Sequence, residues 1–391
     1  MILANSELQD SCFKKASIAS YTTIFVTMSQ LSIYFAHLPI LFERLALTET
    51  LLGVWLLCFG ISNVVCGQIV ARRIVPTFGS CMCMCFGVSL YSLTFVILNF
   101  INSVQPFFVV AIISGCAFGF FLAPSQTHLH LVEKKFSENL QPFYWAMQSL
   151  GSVTGAAIAI IFLRSQFNII NTFNLMALIG VASVFVIRHY GIPQKFDVSE
   201  PAKTLKLPNK KVMAFGALMT FQFATVGIIM EWSPLWLTKT LQAPLFLSAI
   251  LLIGFHSGEA VSRFMGAFLM KRYHDRYLGC YLVLAGALAL AGSIFTMDYY
   301  IISCGAFLFG FASGNFNPII IKNALRYTEE DASTTIANLL TLGLAGLMFG
   351  PALVSVTAQF LGMTFNMYLL ALVWGICAVI FYLIIRKDPK P

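Results

Sequence analysis

Apolar residues run along this chain in long blocks, separated by short polar or basic interruptions. Twelve blocks can be marked: residues 16–41, 50–71, 77–98, 105–130, 141–163 and 169–190, then 211–238, 244–269, 277–296, 300–325, 334–360 and 364–386. Each is near or above the roughly 20 residues a helix needs to cross the hydrocarbon layer at ~1.5 Å per residue. None shows the ~10-residue alternation of a membrane barrel strand. Lipid offers no partner to open backbone groups, so helices are the predicted element throughout. The pattern predicts an all-α membrane protein with twelve transmembrane helices in a lipid bilayer.

Composition strengthens this reading. Only 10% of the 391 residues are charged and 58% are hydrophobic, too little charge to cover a soluble protein of this size. The net charge of +8 matters through its placement. Of 24 Lys and Arg, Arg44, Arg164 and Lys239 fall on one side, Arg263 falls inside a block, and the other twenty fall opposite. The positive-inside rule then places both termini in the cytoplasm, with the chain crossing a bacterial inner membrane. The basic balance is a topology signal and no nucleic-acid partner is expected. Lys14-Lys15 leads into a block too long for a cleavable signal, which therefore reads as the first span. The ten cysteines lie mostly inside blocks, and Cys81, Cys83 and Cys85 alternate, so successive thiols on a helix point ~200° apart. Neither a disulfide framework nor a metal site nor a cofactor is expected.

One long polar stretch, Gly191 to Lys211, carries Pro193, Pro201 and Pro208 and no apolar period. It reads as a cytoplasmic linker over 191–211 between bundles at 1–190 and 212–391. The two halves echo one another. Gly151-x-x-x-Gly155 recurs as Gly346-x-x-x-Gly350, and Pro124 recurs as Pro318. Gly67 followed by Arg72-Arg73 recurs as Gly266 followed by Lys271-Arg272. Three matches in one register outweigh any single glycine coincidence.

This six-plus-six arrangement, with its repeated post-helix basic signal, resembles the major facilitator superfamily over essentially the whole chain. The resemblance implies two pseudo-symmetric six-helix bundles. The family's loop motif carries an acid where this chain has Ala71 and Met270, which removes the expected charge relay but leaves Gly67, Arg72, Arg73, Gly266, Lys271 and Arg272 as inner-gate candidates. Glu231-Trp232-Ser233-Pro234 and the stretch from Gly258 to Arg263 look like the YbjJ-type bacterial branch, distantly related to fucose permease. In that family the glycine-rich helices five and eleven meet across the halves, and spans one, four, seven and ten line a central cavity.

Charges inside a membrane span cost a few kcal/mol, so each is a candidate for function. His256, Glu259 and Arg263 stand at i, i+3 and i+7 on one face of span eight, with the last two at ion-pair spacing. They read either as a proton-coupling group whose partner switches or as a static pair. Glu231 precedes Pro234, where the helix is expected to break and open backbone to a cavity. It reads as a substrate-binding or proton-carrying carboxylate, or as an interfacial residue anchored by Trp232. Gln30, Tyr34 and His37 form a stripe on span one, joined by Gln222 and Thr225 on span seven and Asn315 and Asn317 on span ten. Such groups bind hydroxyls and carbonyls without buried charge; their bland role is interhelical hydrogen bonding. His128 and His130 read as simple interfacial residues.

The resemblance implies a secondary active transporter, a non-enzyme, that moves a small-molecule substrate by alternating access. Proton-coupled uptake by a monomer is the leading reading. A proton-driven exporter of amphipathic drugs, a metabolite or a siderophore is the rival, and a non-transporting membrane sensor is the alternative of another class. No phosphate-binding loop, His-Glu-x-x-His or Gly-x-Ser-x-Gly motif occurs.

Overall fold

A computed structural model describes residues 15–136, 140–194, 197, 210–328 and 332–386. Every regular element in them is helical. Eleven helical stretches are long and apolar enough to cross a membrane, and a bent pair, Ser17–Ala36 with Leu38–Arg44, makes twelve. The 48° bend of span one falls at His37, with Pro39 in the first turn beyond it, where a missing N–H is tolerated. Spans two to six run through Glu49–Ile69, Ser80–Leu98, Val104–Phe136, Gln141–Arg164 and Ile169–Tyr190. Span two continues past Ile69 in a π-turn, Val70–Ile74, that carries Arg72 and Arg73.

Spans seven to twelve begin with Lys210–Leu235, which passes into a π-turn, Trp236–Thr240. Span eight combines Ile250–Phe264 with Gly266–Arg272, and span nine runs from a π-turn, Tyr277–Leu282, into Val283–Phe295. Span ten is split into Tyr299–Ser313 and Phe316–Ala324 around Gly314 and Asn315. Ala332–Leu361 and Met363–Ile385 complete the set. Asn168 and Asp298 cap spans six and ten, accepting from backbone N–H groups that the first helical turn leaves unpaired.

The surface is apolar, as lipid requires: Phe185, Phe295 and Phe360 are each more than three-quarters exposed. Polar side chains turn inward instead. Many are Ser and Thr that bond back to a carbonyl four residues earlier, as Thr23 does to Ala19 and Thr27 to Thr23.

The chain divides into two compact units. One comprises Met1–Leu31, Cys58–Gly155 and Ser165–Ala202; the other comprises Ser32–Leu57, Ala156–Arg164 and Lys203–Pro391. The repeat seen in the sequence has a counterpart in each. In the first, a Cβ on Gly155 would fall 2.1 Å from the Ser29 carbonyl, and the Ser29 hydroxyl donates to the Gly151 carbonyl at 2.9 Å. In the second, a Cβ on Gly346 would fall 1.8 Å from the Thr220 carbonyl, and the Thr220 hydroxyl donates to the Leu342 carbonyl at 2.9 Å. The two glycine motifs therefore press spans five and eleven onto spans one and seven of their own halves. At the glycine motifs the missing Cβ lets backbones touch, and the backbone touched is the first helix of the same bundle; span eleven also meets the first half as expected, through Gly53 against Ser355 and Thr50 donating to Gln359 Oε1 at 3.0 Å on span two.

The second unit is anchored by three buried indoles. Trp232 donates to the Pro351 carbonyl at 2.9 Å, Trp236 to the Thr364 hydroxyl at 2.9 Å and Trp374 to the Thr225 hydroxyl at 2.5 Å. Each ring adds a large apolar area, and each N–H has its acceptor. Span seven is thereby tied to spans eleven and twelve.

Candidate functional site

The densest buried charge lies on span eight. His256 Nδ1 is 2.9 Å from Glu259 Oε2, and Arg263 donates to Glu259 Oε1 at 2.8 Å. Arg263 Nε also donates to the Gly314 carbonyl at 3.4 Å, where span ten is interrupted. All three side chains are buried. The helical spacing brings both partners onto one carboxylate, one oxygen each, so the site holds a matched ion pair with an imidazole attached. His256 Nε2 is buried and has no partner among the described residues. It is the open end of the network.

Close contact between spans eight and ten makes this possible. A Cβ on Gly258 would fall 2.0 Å from the Phe307 carbonyl, and one on Gly310 would fall 2.0 Å from the Phe255 carbonyl. Two glycines, one on each helix, bring the backbones together in the turn that leads into Glu259. Asn315 donates to the Ser262 hydroxyl at 2.9 Å, so it closes the span-ten interruption against span eight. Asn317, beside it, keeps a buried Oδ1 with no partner.

On span seven, Glu231 is 6% exposed and, among the described residues, neither its Oε2 nor the nearby Ser233 hydroxyl has a partner. The helix does not break before Pro234 as expected. It continues to Leu235 and widens into the π-turn, where Leu241 N–H reaches the Trp236 carbonyl and Thr238 caps the Pro234 carbonyl. Widening the turn accommodates the ring without exposing a run of backbone. Gln222 donates to the Ser313 carbonyl at 3.4 Å, and its Oε1 has no partner. Thr225 is taken up by Trp374 and by the Phe221 carbonyl.

The span-one stripe is distributed between the two units. Gln30 donates to Met176 O at 2.9 Å and Ser92 Oγ at 3.1 Å, tying span one to spans three and six and leaving Oε1 without a partner. Tyr34 stacks on Trp55 at 5.5 Å, and His37 Nδ1 bonds to the Ile33 carbonyl at 2.8 Å. These contacts occupy much of the stripe in packing.

Arg72, Arg73, Lys271 and Arg272 are exposed, and among the described residues none of the four has an ion pair. Beside the basic pair after span eight, the cations that find a buried acid come from span ten. Lys322 donates to Asp275 Oδ1 at 2.8 Å, Asn323 donates to Asp275 Oδ2 at 3.1 Å, and Arg326 stands 3.9 Å away. Sequence reasoning missed Asp275. The signal was present: an acid three residues beyond Lys271-Arg272, in a loop otherwise basic. It also missed Asp197 and read His128 as interfacial, whereas both are buried.

Known proteins fit this geometry. A profile of the Major Facilitator Superfamily matches residues 20–342. An uncharacterised MFS-type transporter of Yersinia pestis is 26% identical over 345 residues, 82% of this chain and 83% of that protein. The membrane protein MosC of Rhizobium meliloti is 26% identical over 163 residues, 40% of this chain and 39% of its own length. Among solved structures, the nucleoside transporter NupG superposes with a TM-score of 0.74 at 13% identity, covering 96% of this chain and all of NupG. A bacterial homologue of the human lysosomal transporter Spinster, captured inward-facing and unoccupied, gives 0.69 at 13% identity, covering 98% of each chain. With twelve helical spans, the sequence repeat and a match over most of its length, this chain belongs to the Major Facilitator Superfamily and is a multi-pass membrane transporter.

Proposed function

We propose that the protein takes up a small polar organic solute across the bacterial inner membrane by proton-driven alternating access. The observation that carries this reading is Glu231. It is a carboxylate buried in a membrane span, with an oxygen that no group among the described residues satisfies. Leaving such an oxygen dry and unbonded is costly. A proton or a substrate hydroxyl or amine relieves that cost, and competition between the two is the simplest form of coupling. Gln222 Oε1 and Asn317 Oδ1 are further buried acceptors of the same unit with unused capacity. They suit a solute rich in O–H or N–H donors, such as a sugar or a nucleoside.

Glu259, with Arg263 and His256, is the second proton-sensitive centre. Adding a proton to Glu259 releases Arg263, and His256 Nε2 offers the nearest open position. Glu259 is the poorer site for a first test. Removing one member of a buried ion pair strands the other and costs about 3–5 kcal/mol, so lost activity would be confounded with lost folding. Glu231 has no such partner among the described residues, and Glu231→Gln keeps shape while removing the titration.

In right-side-out vesicles with an imposed proton gradient, the parent protein accumulates radiolabelled substrate chosen from a panel of sugars, nucleosides and carboxylates. Glu231→Gln should retain counterflow yet lose gradient-driven accumulation. Full accumulation with unchanged pH dependence in that variant removes Glu231 from the coupling path. Loading of inside-out vesicles instead establishes export.

A further inference from the structure

Span ten carries a proline just beyond its interruption, and that proline frees a backbone carbonyl inside the membrane. The first segment closes with the Gly314 N–H on the Gly310 carbonyl at 2.9 Å, and the ladder resumes with the Ile319 N–H on the Asn315 carbonyl at 3.3 Å. In an unbroken helix the Gly314 carbonyl accepts from residue 318, but Pro318 has no N–H to give. Within a bilayer such a carbonyl is costly unless another donor reaches it.

Side chains from two neighbouring spans reach consecutive carbonyls of the interruption. Gln222 Nε2, on span seven, donates to Ser313, and Arg263 Nε, on span eight, donates to Gly314, each at 3.4 Å. Both contacts are long, and the second is charge-assisted. Gly314 makes the approach possible: a Cβ there would fall 2.9 Å from the Glu259 carbonyl and 2.8 Å from Ser262 Cβ. Arg263 also donates through Nη2 to Glu259 Oε1 at 2.8 Å. One guanidinium therefore bridges a carboxylate on its own span and a carbonyl on span ten. The repeat counterpart of Pro318 is Pro124, and span four stays one helix, Val104–Phe136, around it. A proline at that place does not by itself interrupt the helix.

We infer that Pro318 is a positioning residue for the charges of span eight: by withholding an N–H, it reserves the Gly314 carbonyl as a second acceptor for Arg263. The guanidinium is held from two sides, so a proton arriving on Glu259 leaves it attached to span ten. With Gln222 on the adjacent carbonyl, the candidate solute group of span seven and the candidate proton group of span eight meet on consecutive peptide units. That bearing on transport rests on the uptake proposed above. The reserved carbonyl does not, and it can be tested with neither substrate nor proton gradient, so the two fail separately.

In detergent-purified full-length protein, Pro318→Ala supplies the missing N–H. A companion variant carries the α-hydroxy acid analogue of alanine at position 318, whose ester link has neither the ring nor an N–H. An added backbone N–H ordinarily stabilises a helix, but here it competes with a charge-assisted bond about twice as strong. Pro318→Ala should therefore melt roughly 2–4 °C below the ester variant. In the Glu259→Gln/Arg263→Met background, which removes both charges together so that neither is stranded, the order should reverse. Gel filtration identifies a background that has lost its fold, and the comparison with Arg263 in place then decides alone. Pro318→Ala melting at or above the ester variant with Arg263 present overturns the inference. So does an equal deficit in both backgrounds, which would make the effect independent of Arg263.

Discussion

At the scale of single residues, the buried acids show how the same side chain is used differently according to its partners. Glu259 is matched on both oxygens, Glu231 is left with one oxygen unbonded among the described residues, and Asp197 accepts from two donors at the start of span three, the Ser80 hydroxyl and the Cys81 N–H. Burial raises the Asp197 carboxyl above its ordinary value, outweighing the bonds from Ser80 and Cys81 that pull it down. A carboxyl raised by folding stabilises most below its unfolded pKa, and that contribution is lost as pH rises through the raised value. Asp197→Asn keeps an acceptor oxygen but cannot ionise. The melting temperature of the variant relative to the parent should therefore climb as pH rises from the ordinary carboxylate range through the raised value, then level off. A thermal melt series at stepped pH checks it, and a flat difference would show that Asp197 does not titrate in its buried position.

Among elements, the contacts are decided by where a side chain is missing. Glycines at 155 and 346 bring spans five and eleven onto spans one and seven, and each approach is completed by a hydroxyl that donates to a backbone carbonyl. Gly292, on span nine, faces open space with nothing within 4 Å of a Cβ. The two sites should separate cleanly. Gly346→Ala forces a Cβ into the Thr220 carbonyl, and since backbone cannot swing aside it should destabilise the protein by about 1–3 kcal/mol. Gly292→Ala relieves helix entropy and should be neutral or stabilise by up to about 1 kcal/mol. Thermal melts of the two variants in one detergent check the order. Equal losses would show that helix propensity, and not interhelical clearance, governs both positions. The glycine periodicity was legible in the sequence; the partner of each motif was not, because a small residue marks a close approach without naming what approaches.

For the whole molecule, charge and symmetry carry the argument. Three cations on one side against twenty on the other predict the orientation of every span at once, given an even number of crossings. Reporter fusions after residue 210 and after Arg386 should both be active in the cytoplasm, and one placed in the 165–168 connection should be active outside. A reporter after residue 210 that is active outside would invert the topology. The halves also resemble each other in where they keep acid. Each has a buried carboxylate near the start of its third helix, Asp275 before span nine and Asp197 against span three. In the first half the acid is imported from the connecting strap, so it stands far from span three in sequence. No local motif search around Ala71 could have found it.

The order of apolar blocks and the spread of basic residues determined the solvent, the number of helices and the repeat. Those follow from transfer free energies that depend on composition along one line. The tertiary structure alone decided which polar groups are spent on packing and which are left open. Asn315 and Thr225 look as promising in sequence as Glu231, yet neighbouring helices supply their partners. Hydrogen bonds are short and directional, so whether a buried oxygen is satisfied depends on the residue facing it in space, which no spacing along the chain can reveal.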